Sequence, residues 1–124
     1  MTLKVAICDN DPNTLHLLTE ILWKFQIATD HNLIIDNYPN GQQLLNSYLK
    51  PGCYHILFLD VEMPIRNGID TAKEIRKLHD KMVIIVFISN HLEYIQDSLS
   101  VHPFDYLQKP LLENKIIRIM NRIT

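Results

Sequence analysis

Apolar residues recur along this chain in two alternating rhythms. Short runs at Leu3–Cys8, Leu33–Tyr38, His55–Asp60, Val83–Ile88 and Phe104–Leu107 have the length and composition of strands. Between them the apolar positions repeat at helical spacing: Leu15, Leu18, Leu22 and Phe25; Leu44, Leu45, Tyr48 and Leu49; Ile69, Ala72, Ile75 and Leu78; Leu92, Ile95 and Leu99; Leu112, Ile116, Ile119, Met120 and Ile123. Start signals agree with this register. Asp11 is a good N-cap with Pro12 at the first helical position, and the first helix is expected to reach about Gln26. Asn40-Gly41 opens the second helix, which stops before Pro51-Gly52. Asn67 with Asp70, and Asn90 with Glu93, have the spacing of capping boxes for the third and fourth helices.

Five strand–helix alternations predict an α/β fold with a parallel sheet, right-handed crossovers and helices on both faces. The third and fourth strand runs contain no polar interruption, as expected of strands buried on both sides. With 124 residues and 47% apolar content, the chain is read as one domain, residues 1–124, with a full core. A net charge of −2 gives no sign of a nucleic-acid or membrane surface. No apolar run reaches membrane length and no signal-peptide pattern is present, so the expected location is the cytosol. Cys8 and Cys53 lack metal or C-x-x-C spacing and are read as reduced thiols.

Polar residues gather at the ends of the predicted strands: Asp9, Asn10 and Asp11 after the first, Asp60 at the end of the third, Ser89 after the fourth and Lys109 after the fifth. Any one of them alone reads as a cap, a turn residue or a solvated lysine. In a parallel sheet, however, these strand ends converge on one edge, where open α/β sheets bind ligands. One cluster of acids, a hydroxyl and an ammonium accounts for all of them together. A flavodoxin-like electron carrier is disfavoured, because Asp9-Asn10-Asp11-Pro12 would repel the phosphate that a Ser/Thr/Gly-rich loop would cradle.

Asp9 and its neighbours, Leu59-Asp60-Val61-Glu62-Met63-Pro64 with Asn67-Gly68, Ser89, and Asp105-Tyr106-Leu107-Gln108-Lys109-Pro110 together resemble the receiver domain of bacterial two-component response regulators over nearly the whole chain. The resemblance implies a five-stranded doubly wound sheet in the order 2-1-3-4-5 with five helices. It implies that Asp60 takes a phosphoryl group from a sensor histidine kinase, with self-catalysed transfer and autodephosphorylation, and that a helix 4/strand 5/helix 5 face then switches an output such as transcription. The implied cofactor is Mg2+ (or Mn2+), held by Asp60, the backbone carbonyl of Glu62 and the acidic pair aligned as Asp9 and Asn10. Lys109 and Ser89 would contact the phosphoryl oxygens, Ser89 and Tyr106 would form the switch, and the Lys109-Pro110 bond would be cis. A receiver–receiver dimer is a further expectation. Ala6-Ile7-Cys8-Asp9, Asp60-Val61-Glu62-Met63-Pro64 and Tyr94 look like receivers attached to LytTR-type DNA-binding domains, so DNA would be reached only through an output domain outside this chain.

The chain departs from the family at Asn10, where a second acid is usual. That substitution removes one negative charge from the metal site, and Asp11 is the candidate replacement. It also supports a competing reading, a degenerate receiver acting as a phosphorylation-independent interaction module, which intact Asp60, Ser89 and Lys109 oppose. His31, His79 and His102 are read as surface residues, His91 as a helix-start surface residue, Trp23 as core or partly exposed, and Arg118 and Arg122 as a solvated or partner-binding face.

Overall fold

The computed structural model describes residues 1–124. Strands β1 (Thr2–Cys8), β2 (Asn32–Tyr38), β3 (Ile56–Asp60), β4 (Ile84–Ser89) and β5 (Asp105–Gln108) pair in parallel in the order β2-β1-β3-β4-β5. Five α-helices connect and follow them: α1 (Pro12–Ala28), α2 (Gly41–Ser47), α3 (Gly68–Glu74), α4 (Ile95–Ser98) and α5 (Glu113–Ile123). A π turn at Ile75–His79 extends α3, and 3-10 turns at Leu92–Tyr94 and Leu99–Val101 flank α4. No helix is long and apolar enough to cross a membrane.

The period-two alternation of strand side chains builds two cores from one sheet. Val5, Ile7, Ile56, Phe58, Val86 and Ile88 pack against Leu18, Leu22 and Phe25 of α1 and Ile116, Ile119 and Met120 of α5. Their neighbours Ala6, Cys8, Leu57, Leu59, Ile85 and Phe87 pack on the other face against Leu44 and Leu45 of α2 and Ile69, Ala72 and Ile75 of α3. Burying such a side chain contributes roughly 1.5–3 kcal/mol, so the continuous apolar runs of β3 and β4 are explained by having no solvent side. The connection after β1 runs to β2 on one side, and the next returns past β1 to β3. This reversal opens a crevice outside the carboxyl ends of β1 and β3.

The start signals hold at three helices. Asp11, Asn40 and Asn67 accept the amides of Asn13, Gln43 and Asp70, respectively. Several boundaries shift. The first helix runs on to Ala28, and β4 and β5 each lie one residue later than their apolar runs suggest. The second helix ends at Ser47, which buries Tyr48 but leaves Leu49 exposed.

The fourth helix departs most from expectation. Asn90 does not cap it: the Ser89 hydroxyl takes the His91 amide instead, and no side chain caps the turn that follows. The expected stripe of Leu92, Ile95 and Leu99 is replaced by half-buried Tyr94 and Ile95 with buried Ser98 and Val101, leaving Leu92 and Leu99 exposed. Ser98 is small and returns its hydroxyl to Ile95 O, so this face can lie close to the core. Leu78 is exposed for a related reason. The Asp80 amide bonds Ile75 O across five residues, and the wider turn carries Leu78 off the stripe. His31 and His79 are half-buried against the rings of Phe25 and Tyr48, whereas His102 and Trp23 are exposed.

Candidate functional site

The crevice at the carboxyl edge is lined by acids that the sheet itself places. Asp60 is the last residue of β3 and only 3% exposed. Asp9 follows β1 directly, is fully buried, and is fixed by two bonds: its amide donates to Tyr38 O at 3.1 Å and its Oδ1 accepts the Asp11 amide at 2.9 Å. The backbone at Asp60 is fixed too. The Val61 amide donates to Ile88 O, the Gly68 amide donates to Val61 O, and Asp60 Oδ1 accepts the Glu62 amide at 3.1 Å. Position 68 must be glycine for this closure, since a Cβ there would stand 2.2 Å from the Asp60 carbonyl oxygen.

Lys109 reaches the same place from the end of β5. Its amide bonds Ser89 O at 2.8 Å, and the Lys109–Pro110 peptide bond is cis, as the resemblance implies. Its Nζ lies 2.9 Å from Asp9 Oδ2 and 3.3 Å from Asp60 Oδ2. Burial pushes the Lys109 ammonium down, but contact with the two carboxylates outweighs that and holds it charged. Burial, and then the charge of Asp9, push Asp60 up to about 6, with Lys109 and the Glu62 amide pulling in the other direction. Two carboxylates and one ammonium leave this cluster with an excess negative charge.

That excess and the donor set fit a hard divalent cation. Asp9 Oδ2 is buried and accepts no hydrogen bond, its contact with Lys109 being an ion pair only. No group of three His, Cys, Asp or Glu side chains is clustered to hold a metal. The protein would therefore offer two carboxylates and a backbone carbonyl, the sparse all-oxygen set with room for waters that Mg2+ accepts. Asp11 is committed elsewhere, as its Oδ1 caps α1 through Asn13 and its Oδ2 takes the Thr14 hydroxyl. Asn10 is exposed and next to the buried Asp9.

Ser89 is buried at the same edge, but its hydroxyl closes its own loop, donating to His91 O and accepting from His91 N, each at 2.9 Å. A bond from Ser89 towards Asp60 requires that hydroxyl to rotate. Tyr106 is half-buried, stacks on Phe87 at 5.5 Å, and donates its hydroxyl to Ile95 O at 3.2 Å. It therefore ties β5 to α4. Arg118 and Arg122 lie on α5, and Arg122 pairs with Asp105 at 2.6 Å.

Three features of the site were missed in the sequence. His91 Nε2 lies 3.7 Å from Glu62 Oε1, so the loops after β3 and β4 meet. Cys8 Sγ lies 3.6 Å from Met63 Sδ, and burial followed by the charges of Asp9 and Asp60 pushes that thiol up to about 12, leaving it unreactive. Ile65 adopts a left-handed backbone, with φ 72°, while the Arg66 amide bonds Pro64 O at 2.7 Å. None of the three had a sequence signal, and the β-branched side chain of Ile65 argues against a left-handed backbone.

The chain matches a known family. The model of the response regulator receiver domain matches residues 5–121. The chain is 36% identical over 105 residues to the sensory transduction protein LytT of Oceanobacillus iheyensis, covering 84% of this chain and 42% of that protein. It is 33% identical over 113 residues to the protein-glutamate methylesterase/protein-glutamine glutaminase of Clostridium acetobutylicum, covering 87% of this chain and 31% of that protein. Among solved structures, the response regulator TrrA of Thermotoga maritima in complex with Mg2+-BeF superposes with a TM-score of 0.82 at 26% identity, over 98% of this chain and 99% of that one. The chemotaxis protein CheY4 of Vibrio cholerae superposes with a TM-score of 0.82 at 20% identity over the whole of both chains. The chain belongs to the response regulator receiver domain family and is the receiver domain of a two-component response regulator. It spans less than half the length of the two curated relatives named here.

Proposed function

We propose that residues 1–124 act as one receiver domain in which Asp60 accepts a phosphoryl group from a phosphohistidine of a sensor kinase. The observation that carries this reading is the placement of Asp60, buried and 3.3 Å from a lysine that also contacts Asp9. One Asp60 oxygen attacks phosphorus, forming an acyl phosphate, while the phosphorus–nitrogen bond breaks and its electron pair returns to the histidine ring. Lys109 stands where it can move from the carboxylates to a phosphoryl oxygen as a mobile point charge. Asp9, Asp60 and the Glu62 carbonyl would hold Mg2+, which supplies charge neutralisation for the incoming group. Attack of water on the same phosphorus then breaks its bond to the Asp60 oxygen, whose electron pair returns to the carboxylate as inorganic phosphate leaves, which is autodephosphorylation.

The output follows from the bonds around Ser89. Rotation of its hydroxyl from His91 O towards a phosphoryl oxygen exchanges a neutral hydrogen bond for a charge-assisted one. The His91 loop then loses its anchor, and the segment carrying Tyr94 and Ile95 shifts. Tyr106 reports the shift, because its hydroxyl is bonded to Ile95 O. Phosphorylation thus biases a two-state element comprising α4, β5 and α5. The similarity to LytT supports transcription as the output, through a LytTR-type DNA-binding region in the whole protein; the methylesterase relative carries a different named activity beside a similar module. A receiver–receiver dimer and a cytoplasmic location complete this reading.

Incubation with acetyl phosphate and Mg2+, followed by intact mass measurement, tests it. The wild type gains one phosphoryl mass and Asp60→Asn gains none. Equal labelling of that variant removes Asp60 from the role.

A further inference from the structure

Between α3 and α4 lies an open groove of about 540 Å3 whose side chains make no bond to Asp60 or Lys109. Its floor is Val61, Met63 and Ile69; Tyr94 stands on the α4 side. Glu62, Asp70 and Asp97 bring three carboxylates to its walls against the single ammonium of Lys73, an excess of two negative charges. Neither Asp97 nor Lys73 joins any ion pair of the molecule.

We infer that this groove is a docking site for an arginine side chain of a partner protein. The carboxylates do not cluster as a metal site, so a compact ion is not what they suit. They stand on three separate pieces of chain: Glu62 on the loop after β3, Asp70 on α3 and Asp97 on α4. A planar guanidinium presents five donors in a fixed fork, can bond one carboxylate through two parallel N–H groups with donors left for another, and stacks on an aromatic face such as that of Tyr94. Its apolar stem matches the Val61, Met63 and Ile69 floor. An anion is disfavoured by the charge balance, and lysine offers neither the fork nor the stacking plane. The reading goes beyond phosphoryl transfer and does not depend on it.

The test is an amide NMR titration of the whole chain with the capped tripeptide acetyl-Leu-Arg-Leu-amide. The control peptide carries citrulline, which keeps the shape of arginine and loses its charge. The arginine peptide should shift amides of residues 61–63, 67–73 and 94–97, and the citrulline peptide should bind at least fivefold more weakly. Asp97→Asn, at an exposed position, should lower affinity for the arginine peptide by a similar factor and leave the rest of the spectrum unchanged. Equal binding of the two peptides, shifts confined to other surfaces, or an unaffected Asp97→Asn variant would each overturn the assignment. Free arginine binding as tightly as the peptide would overturn it as well, pointing to a metabolite site instead of a protein docking site.

Discussion

Lys109 Nζ lies between two buried carboxylates, 2.9 Å from Asp9 and 3.3 Å from Asp60. The three residues come from the ends of three strands, and the lysine is the only cation touching either acid. Lys109→Met should therefore slow labelling by acetyl phosphate by about 10²-fold, the usual scale for losing one preorganised charge at a reacting centre. An intact-mass time course reads this directly. A wild-type rate in the variant would show that the lysine serves only to hold the fold.

Asn10→Asp should tighten Mg2+ binding. The exposed Asn10 adjoins Asp9, and Asp11 is already engaged in capping α1. A new carboxylate near the ion contributes on the order of 1 kcal/mol once its own desolvation is subtracted from the Coulomb gain, or several-fold in affinity. Calorimetric titration of the unphosphorylated protein measures it. Unchanged affinity would mean that position 10 lies beyond the ion's reach.

Ile65→Asn should stabilise the domain. Ile65 is β-branched, 84% exposed and held at φ 72°, a left-handed conformation that such residues rarely adopt. Asparagine tolerates that region, and the exposed isoleucine forfeits little burial when replaced. The gain should be about 1 kcal/mol, read as a higher urea midpoint with an unchanged slope. A lower midpoint would show that the isoleucine side chain makes a contact that offsets the strain.

Asp80 should make stability depend on acid pH. It is 5% exposed and accepts four hydrogen bonds, from the Gly52, Met82 and Val83 amides and the Tyr48 hydroxyl. Burial alone pushes its carboxyl up, but these bonds outweigh burial and hold it below the usual carboxylate range. A carboxyl depressed in the folded state stabilises fully above its unfolded pKa, and that contribution is lost as pH falls through the folded value. Asp80→Asn should cost about 2 kcal/mol at pH 7, the scale of a charge-assisted bond. Chemical denaturation across pH should show the gap between variant and wild type narrowing below about pH 4. A gap that stays constant with pH would mean that Asp80 acts through shape alone.

Sequence alone determined the sheet and its acidic edge. The apolar runs of β3 and β4 admit no solvent face, and alternation with amphipathic helices leaves a parallel sheet as the arrangement that covers both sides. Strand ends converge in such a sheet whatever their sequence separation, so Asp9, Asp60 and Lys109 were legible as one cluster. The roles proposed for them came from the motif resemblance, which periodicity does not supply. Local capping was legible at Asp11, Asn40 and Asn67, whose side chains accept amides two or three residues further on.

Tertiary structure decided what depends on competition between bonds. Asn90 makes no cap at the fourth helical segment; the Ser89 hydroxyl instead closes the loop before it by bonding both polar groups of His91. Asp80 sets the end of the third, since its carboxylate is held by the Tyr48 hydroxyl and by the amides of Gly52, Met82 and Val83, and the π turn Ile75–His79 leads into it. The direction of the Ser89 hydroxyl, the Tyr106 bond to Ile95 and the walls of the acidic groove all depend on where α4 sits. That segment has only four α-helical residues and no side-chain cap, so packing and not local pattern positions it.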